Sequence, residues 1–199
     1  MRARQERERE YRREIIIEAT EQLLNEKTFD SITMDDIALR SDFSKASIYQ
    51  YFKNKEQLMN EVFSQNLKEK CQLIEDKCLS QADPIQGLRS YIMLEFEFIQ
   101  QHPWIPKVVA TFPFRDYRVD KNILDLYHQK KNLISRILQR GQQEGAFNID
   151  NLDVMTNMIL SASEGVSKYF YSRKSSNIQS PEIELFISTI IKGISKGEQ

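Results

Sequence analysis

The sequence predicts an all-α protein of about nine helices. Apolar residues recur at intervals of three and four along most of the 199 residues, a spacing that places them on one face of an α-helix. Proline and glycine are scarce, at five and six residues. No segment shows sustained alternation of apolar and polar residues beside a hairpin pair such as Asn-Gly. We therefore expect helices joined by short loops.

The first helices are predicted from capping residues as well as from periodicity. A helix over about residues 4–25 ends at the segment KTFDS. Thr33 is the expected N-cap of the second helix, because Asp36 completes a capping-box-like pair and places an acidic residue in the first turn. Ser44 is the expected N-cap of a short third helix. Asn54 is the expected N-cap of a fourth helix that runs to about residue 80.

The rest of the chain predicts five further helices. The breaks HP, FPFRD, GQQEGAFN and RKSSNIQSP separate them, because clusters of proline, glycine and small polar residues mark loops. The segment QADP ends the fourth helix, because Pro84 disfavours the helical region at the residue before it. The expected helices cover about residues 84–101, 104–112, 118–142, 150–172 and 181–196.

Composition and cysteine placement are those of an ordinary globular protein. The formal net charge is −1, with 40% hydrophobic and 29% charged residues. The apolar runs are far shorter than the roughly 18 residues of a membrane span, and the N-terminus MRARQERERE has no apolar leader segment. We expect a cytoplasmic protein that does not enter a membrane. Cys71 and Cys78 lie about 10 Å apart along a helix, too far for a disulfide, and are expected to be reduced structural thiols.

Residues 38–58, ALRSDFSKASIYQYFKNKEQL, fit a helix-turn-helix. Two short, steeply crossing helices need a small residue at their contact and a turn residue that tolerates a positive φ. Ala38 is the small residue. Asp42, four positions later, takes the turn, because its short polar side chain tolerates the left-handed region. The inner apolar positions are Ile37, Phe43, Ile48 and Tyr51.

The polar residues of this segment are candidates for DNA contacts. In a helix-turn-helix the second helix enters the major groove, where small hydroxyls and an amide approach base edges and a lysine or tyrosine hydroxyl reaches phosphates. The helix N-terminus at Lys55 offers backbone N–H groups to another phosphate. The predicted DNA-binding residues of this segment are Ser44, Lys45, Ser47, Tyr49, Gln50 and Lys55, and Thr33, at the start of the preceding helix, is predicted as a further one.

An alternative to DNA binding is a helical hairpin that only packs, with solvated hydroxyls. Acidic and basic residues are nearly balanced over residues 1–60, so a basic surface is not visible in the totals. It could arise only from a local arrangement, for which Arg2, Arg4, Arg7 and Arg9 at the start of the chain are candidates.

The segment ITMDDIALRSDFSKASIYQYFKNKEQLMNEVF resembles the N-terminal domain of TetR-family transcriptional regulators, over about residues 10–63. It departs from the family pattern at Ser41-Asp42-Phe43, where Ala-Gly-Val is usual, and at Ala46-Ser47, where Gly-Thr is usual. The resemblance implies a homodimer of nine-helix chains, with a helix-turn-helix domain over residues 1–53. It also implies a ligand-binding and dimerisation domain over residues 54–199 that binds a small molecule and thereby releases DNA. The matching residues are Thr33, Ile37, Ala38, Ser44, Ile48, Tyr49, Tyr51, Phe52, Lys55, Glu56 and Leu58.

Two apolar seams on the last two helices suit a four-helix dimer interface, because their residues recur in steps of three and four over several turns. Small residues around Gly165 would allow close approach of the two chains. The alternative is that both seams face the chain's own core. The predicted interface residues are Leu152, Ile159, Ala162, Val166, Ile183, Phe186, Ile187 and Ile190.

The aromatic-rich middle of the chain predicts a pocket for a hydrophobic small-molecule effector. A filled core fits the same residues equally well. Glu95 or Glu97 could turn inward to meet a cationic ligand, although charged residues usually face solvent. The predicted ligand-binding residues are Tyr91, Glu95, Trp104, Phe112, Tyr127 and Met158.

No sequence motif supports catalysis. The chain lacks a glycine-rich phosphate loop, a nucleophile elbow and cysteine or histidine pairs at metal-binding spacing, so we expect no enzyme, no cofactor and no metal. We expect a ligand-responsive transcriptional repressor that binds double-stranded operator DNA as a homodimer. The alternative is a helical protein-binding module without specific DNA recognition.

Overall fold

A computed structural model describes residues 2–111, 120–173 and 180–195. Within these ranges the chain forms nine α-helices and no β-strand, which confirms the predicted fold class. The helices are α1 (Arg2–Glu26), α2 (Met34–Ser41), α3 (Lys45–Tyr49), α4 (Lys55–Leu73), α5 (Pro84–Gln101), α6 (Trp104–Thr111), α7 (Lys121–Gln143), α8 (Leu152–Ser172) and α9 (Pro181–Ile194). In the described part of the chain, none of them has both the length and the apolar character needed to cross a bilayer.

The helices are distributed over two compact units. The N-terminal unit comprises Met1–Asn66 and Trp104–Ile123, and the C-terminal unit comprises Leu67–Pro103 and Leu124–Gln199. α1, α2, α3 and α6 therefore belong to the N-terminal unit, and α5, α8 and α9 to the C-terminal unit. The expected functional boundary between residues 53 and 54 stays a prediction.

Three predicted N-caps are present. Thr33 and Asp36 form a capping box, in which the Asp36 N–H donates to Thr33 Oγ1 at 3.1 Å and the Thr33 N–H donates to Asp36 Oδ2 at 2.8 Å. Ser44 Oγ accepts from the Ser47 N–H at 3.1 Å. Asn54 Oδ1 accepts from a backbone N–H in the first turn of α4 at 2.8 Å. These caps fix where α2, α3 and α4 begin, because each satisfies a donor that the helix leaves unpaired.

The turn between α2 and α3 is made by Asp42 in the left-handed region, with φ 58° and ψ 33°. The N–H groups of Asp42 and Phe43 both donate to the Ala38 carbonyl, which ends α2. This confirms the expectation that Asp42 replaces the glycine more usual at such a turn.

Asp42→Gly is expected to raise the free energy of unfolding by up to about 1 kcal/mol, because glycine has no Cβ that would contact the backbone at positive φ. Asp42→Val is expected to lower it, since a β-branched residue is strongly disfavoured there. Urea unfolding of the two variants measures both effects. A glycine variant less stable than wild type would contradict this view of the turn.

The fourth helix changes its winding near its end. α4 stops at Leu73, and a π-helical segment, Ile74–Leu79, continues it to the predicted end near residue 80. The Arg140 guanidinium donates to the carbonyls of Leu79 and Gln81, at 3.2 and 2.7 Å, and so caps this segment.

Gly87 allows α5 to pack closely against the same segment. A Cβ on Gly87 would lie 2.8 Å from the Cys78 carbonyl oxygen, so α5 can approach the π-helical segment this closely only with glycine at that position.

Cys71 and Cys78 are both buried free thiols. Burial raises the pKa of both, and that of Cys78 to about 12. Both thiols are therefore protonated near neutral pH, as expected for structural cysteines.

The apolar seams of α8 and α9 face the chain's own core. Ile159, Ile183 and Ile187 are at most 2% exposed and therefore have no surface left for a partner. Leu152, Val166, Phe186 and Ile190 are half-buried and pack against the same core, and Ala162 is half-buried. Periodicity identifies the buried face of a helix but not what covers it, so the structure corrects the predicted interface at Ile159, Ile183 and Ile187. The predicted interface roles of the five half-buried residues stay predictions.

A second stripe of α8 and α9 is exposed instead. Val154, Met158 and Tyr169 lie on the outer face of α8, with Ser161 and Gly165 between them. Leu185 is exposed on α9. We call these residues the outer stripe.

Candidate nucleic-acid interface

The helix-turn-helix is held on α1 by buried apolar contacts and exposed ion pairs. Ile37 of α2 and Ile48 of α3 are completely buried. Arg40 makes a bidentate pair with Glu26 of α1, at 2.9 and 2.8 Å. Burial contributes more here than the ion pair, because exposed pairs are worth only about 0–1 kcal/mol.

The outer face of α3 carries most of the predicted DNA-binding residues. Lys45, Tyr49 and Gln50 are exposed, and Ser47 is half-buried. Ser44 is exposed, but its hydroxyl caps α3 and lies 2.8 Å from the Ser47 hydroxyl. Small polar groups near a helix N-terminus have the shape and chemistry that suit a major groove.

Thr33 is exposed at the start of α2, but its hydroxyl is used within the capping box. Thr33 Oγ1 donates to Asp36 Oδ2 at 2.7 Å and accepts the Asp36 N–H. The Lys27 ammonium lies 2.8 Å from Asp36 Oδ1. The hydrogen bonds from Lys27 and Thr33 hold the pKa of Asp36 well below its usual range. Thr33 therefore orients α2, and its predicted contact with DNA stays a prediction.

Lys45 pairs with Asp35 of α2, at 2.8 Å between Nζ and Oδ2. This hydrogen bond raises the pKa of Lys45. The two side chains are 48% and 71% exposed, so the pair is weak and a phosphate can compete with Asp35 for the ammonium.

The Lys55 side chain has a structural position that the sequence did not predict. Its ammonium donates to the carbonyls of Phe29 and Ile32, at 2.9 and 3.0 Å, and lies 4.3 Å from the centre of the Phe29 ring. These contacts attach α4 to the 3₁₀ turn Phe29–Ser31. The geometry therefore corrects the expected phosphate contact of this ammonium, although it leaves the backbone N–H groups of α4 as candidates.

Lys55→Met is expected to lower the free energy of unfolding by about 1–3 kcal/mol, because two carbonyls lose a charged donor. Lys53→Met is the control, since Lys53 is exposed and its loss should change stability by less than about 0.5 kcal/mol. Chemical unfolding of both variants measures the difference. If Lys55→Met were as stable as Lys53→Met and lowered only the salt dependence of DNA binding, the phosphate role would be correct.

A cleft beside α3 brings two arginines of α1 to the same surface. It has a volume of about 340 Å³ and is lined by Gln5, Glu8, Arg9, Arg12, Gln50 and Tyr51. Arg12 pairs with Glu8 at 2.6 Å, and Arg9 is exposed. Charge totals conceal this arrangement, although the arginine-rich start of the chain was a signal for it.

The predicted ligand-binding residues are divided between the two compact units. Tyr91 and Glu95 are buried in the C-terminal unit. Trp104 is buried in the N-terminal unit, where its ring lies edge-on to Phe63 with 5.3 Å between centroids. Tyr127 and Met158 are 40% and 58% exposed, so their roles stay predictions, and Phe112 lies outside the described residues.

Glu95 is buried, and its carboxylate already has two cationic partners. Lys70 Nζ lies 3.0 Å from Oε2, and Lys130 Nζ lies 2.9 Å from Oε1. Burial acts to raise the Glu95 pKa, but Lys130 and Lys70 outweigh it and lower the pKa to about 2. An ionised carboxylate between two ammonium groups has no need of a cationic ligand, which corrects that expectation. Sequence spacing gave no signal for the two lysines, which lie on other helices.

Residues 16–62 match the model of a family described as bacterial regulatory proteins, tetR family. Residues 16–62 are therefore a tetR-family domain. The proteins that this family model describes are bacterial regulatory proteins. Within the described residues, no group of histidine, cysteine and acidic side chains is arranged to hold a metal ion.

A curated relative matches this chain over a segment of similar length. The uncharacterized HTH-type transcriptional regulator YhgD of Bacillus subtilis is 38% identical over 58 residues. This match spans 29% of the chain and 30% of the length of the relative.

Solved structures share the fold over nearly the whole chain. The fatty acid degradation regulator FadR of Bacillus halodurans is 17% identical with a TM-score of 0.79, and 92% of this chain and 95% of that chain are covered. The regulator FadR of Bacillus subtilis, solved in complex with stearoyl-CoA, is 18% identical with a TM-score of 0.74, covering 93% and 98%. At these identities the likeness shows the fold.

Proposed function

We propose that this TetR-family chain is a sequence-specific DNA-binding transcriptional repressor. The observation that carries the proposal is the outer face of α3, where Lys45, Ser47, Tyr49 and Gln50 stand on a turn built by Asp42. The basic side chains of α1 beside Gln50 add positive charge at the same surface. Charged groups position such a helix on phosphates, and the short polar groups read bases.

We also propose that the chain acts as a homodimer that uses the outer stripe. A two-fold dimer presents two reading helices to two half-sites, and an exposed apolar stripe on two long helices supplies a self-complementary surface. Gly165 has no atom within 4 Å of a Cβ built on it, so this part of α8 leaves room for close approach.

The third part of the proposal is release from DNA by a small molecule with a hydrophobic part. Such a ligand shifts the balance between a DNA-binding form and another form only by its difference in affinity for the two. Support comes from the stearoyl-CoA complex of the Bacillus subtilis FadR, whose fold this chain shares, and from the buried aromatic side chains of the C-terminal unit.

Two variants of α3 test the DNA-reading role. Lys45→Ala is expected to weaken binding to all duplexes similarly and to reduce the salt slope by about one unit, because one phosphate contact is lost. Ser47→Ala is expected to change the preferred bases with little effect on the slope. Lys77→Ala, an exposed lysine of the C-terminal unit, is the control. Fluorescence anisotropy at several salt concentrations measures all three.

The alternative, a helical protein-binding module, predicts a different outcome of the same titrations. Its residual DNA binding would show no sequence preference and would respond equally to Lys45→Ala and Lys77→Ala. That result would overturn the proposed function.

A further inference from the structure

We propose that Lys70 and Lys130 form an internal site for the carboxylate of an amphiphilic effector, which takes the place of Glu164. The site lies in the C-terminal unit, where four helices contribute one charged residue each. The inference rests on the proposed function, because it names the class of the releasing ligand and the atoms that hold its head group.

The four charged side chains form a chain of contacts from the core to the surface. The side chains of Glu95 and Lys130 are 1% and 2% exposed, and that of Lys70 is 9% exposed. Lys130 Nζ also lies 2.8 Å from Glu164 Oε1, and the Glu164 side chain is 25% exposed. Glu164 is thus the member of this cluster that reaches solvent.

The buried ammonium groups have more donors than their acceptors use. Each carries three N–H groups. Lys70 donates to Glu95 and otherwise faces the Phe98 ring, 4.3 Å from its centre. Lys130 contacts Glu95 and Glu164. Buried donors without acceptors are costly, so the site favours additional oxygen atoms.

Tyr91 supplies an independent sign that a polar ligand group belongs here. Its side chain is completely buried, and its hydroxyl, which lies beside the Glu95 carboxylate, makes no hydrogen bond of ordinary geometry among the described residues. Burial, followed by the charge of Glu95, raises the Tyr91 pKa, so the hydroxyl keeps its proton and can donate it to an acceptor. A carboxylate beside Lys130 provides that acceptor.

Charge balance identifies Glu164 as the group that is exchanged. Two lysines and two glutamates give the cluster no net charge. If Glu164 turns to solvent and a ligand carboxylate binds Lys130, the net charge of the cluster is unchanged, whereas a cationic ligand would give the cluster a net charge of +1. The rings of Phe98 and Tyr91 offer apolar surface beside the ammonium groups for the ligand's hydrocarbon part.

These contacts also connect the ligand site to the DNA-binding segment through one helix. Lys70 lies on α4, and the same helix begins at Lys55, a few residues after α3. A ligand that alters the partners of Lys70 therefore acts on a helix that is covalently continuous with the helix-turn-helix.

Calorimetric titration of the full chain with three ligands of equal chain length tests the proposal. Decanoate is expected to bind once per chain and about tenfold more tightly than decanol or decyltrimethylammonium, because only it offers a charged acceptor to Lys130. Equal or tighter binding of either other ligand would overturn the proposal.

Two variants locate the site. Lys130→Met is expected to weaken decanoate binding about tenfold. Glu164→Gln, at a partly exposed position that should not affect folding, removes the competing carboxylate and is expected to tighten decanoate binding severalfold. Lys77→Met is the control and should change nothing. Unchanged decanoate affinity in Glu164→Gln would overturn the exchange.

DNA binding by the ligand-free protein is measured in parallel. This measurement distinguishes a failure of the proposed carboxylate site from a failure of the proposed function. Specific DNA binding without any decanoate binding would refute the effector class and leave the proposed function intact. If the protein bound decanoate but showed no DNA sequence preference, the proposed regulatory function would be wrong and the proposed carboxylate site would stand.

Discussion

Met158→Glu is expected to convert the proposed dimer into a folded monomer and to weaken operator binding by about 10²- to 10⁴-fold, the usual gain from linking two binding modules. Met158 is 58% exposed, so the charge is harmless in the monomer. In a two-fold interface the same position lies near its own copy, where two carboxylates would lose solvent together. Val154, Tyr169 and Leu185, between 50% and 66% exposed, extend the affected surface.

Sedimentation equilibrium at micromolar concentration measures this effect, and two other variants show where it originates. Leu124→Glu changes a leucine of α7 that is 45% exposed, and it should leave the dimer intact. Ile159→Asp changes a residue that is 1% exposed, and it should unfold the C-terminal unit rather than only separate the chains. A Met158→Glu protein that stays dimeric would place the interface elsewhere.

The second large effect is expected from Glu95→Gln, which should lower the free energy of unfolding by about 3–5 kcal/mol. Removing one partner of a buried ion cluster leaves charges without compensation in a medium of low polarity. Here Lys70 and Lys130 would both lose their shared carboxylate. Glu97→Gln is the matched control, because Glu97 is half-buried on the same helix and should change stability by less than about 0.5 kcal/mol.

The pH dependence of unfolding gives a second measurement of the Glu95 effect. Glu95 has a pKa of about 2 in the folded chain, against an ordinary value of 4.5. A lowered pKa stabilises the fold fully above the ordinary value, and this contribution is lost as the pH falls through the folded value. Wild type should therefore lose more stability than the variant between pH 4.5 and pH 2. A difference of less than about 1 kcal/mol at neutral pH would contradict the assignment.

Local features of the helix-turn-helix could be predicted from the sequence. The caps at Thr33 and Ser44 involve residues three positions apart, and the φ of Asp42 depends on its own side chain and the end of α2. Such interactions form between residues that are close in sequence, so a short segment determines them.

Features that depend on distant parts of the chain could not be predicted. The sequence shows that Ile159 and Ile187 lie on apolar faces, but their partner follows only from the packing of several helices. In the sequence Lys55 cannot be told from a surface lysine, because the carbonyls of Phe29 and Ile32 come close to it only in the folded chain. The burial of Glu95 likewise could not be predicted, because its partners Lys70 and Lys130 lie on other helices.

Selection of duplexes from a random pool tests most directly whether the outer face of α3 reads DNA sequence. Wild-type protein at moderate salt should enrich a two-fold symmetric site whose halves lie about one helical turn, or a multiple of it, apart. Ser47→Ala should shift the enriched bases within each half-site. A pool that stays random after repeated rounds, with binding that disappears uniformly as salt rises, would contradict sequence-specific recognition by this chain.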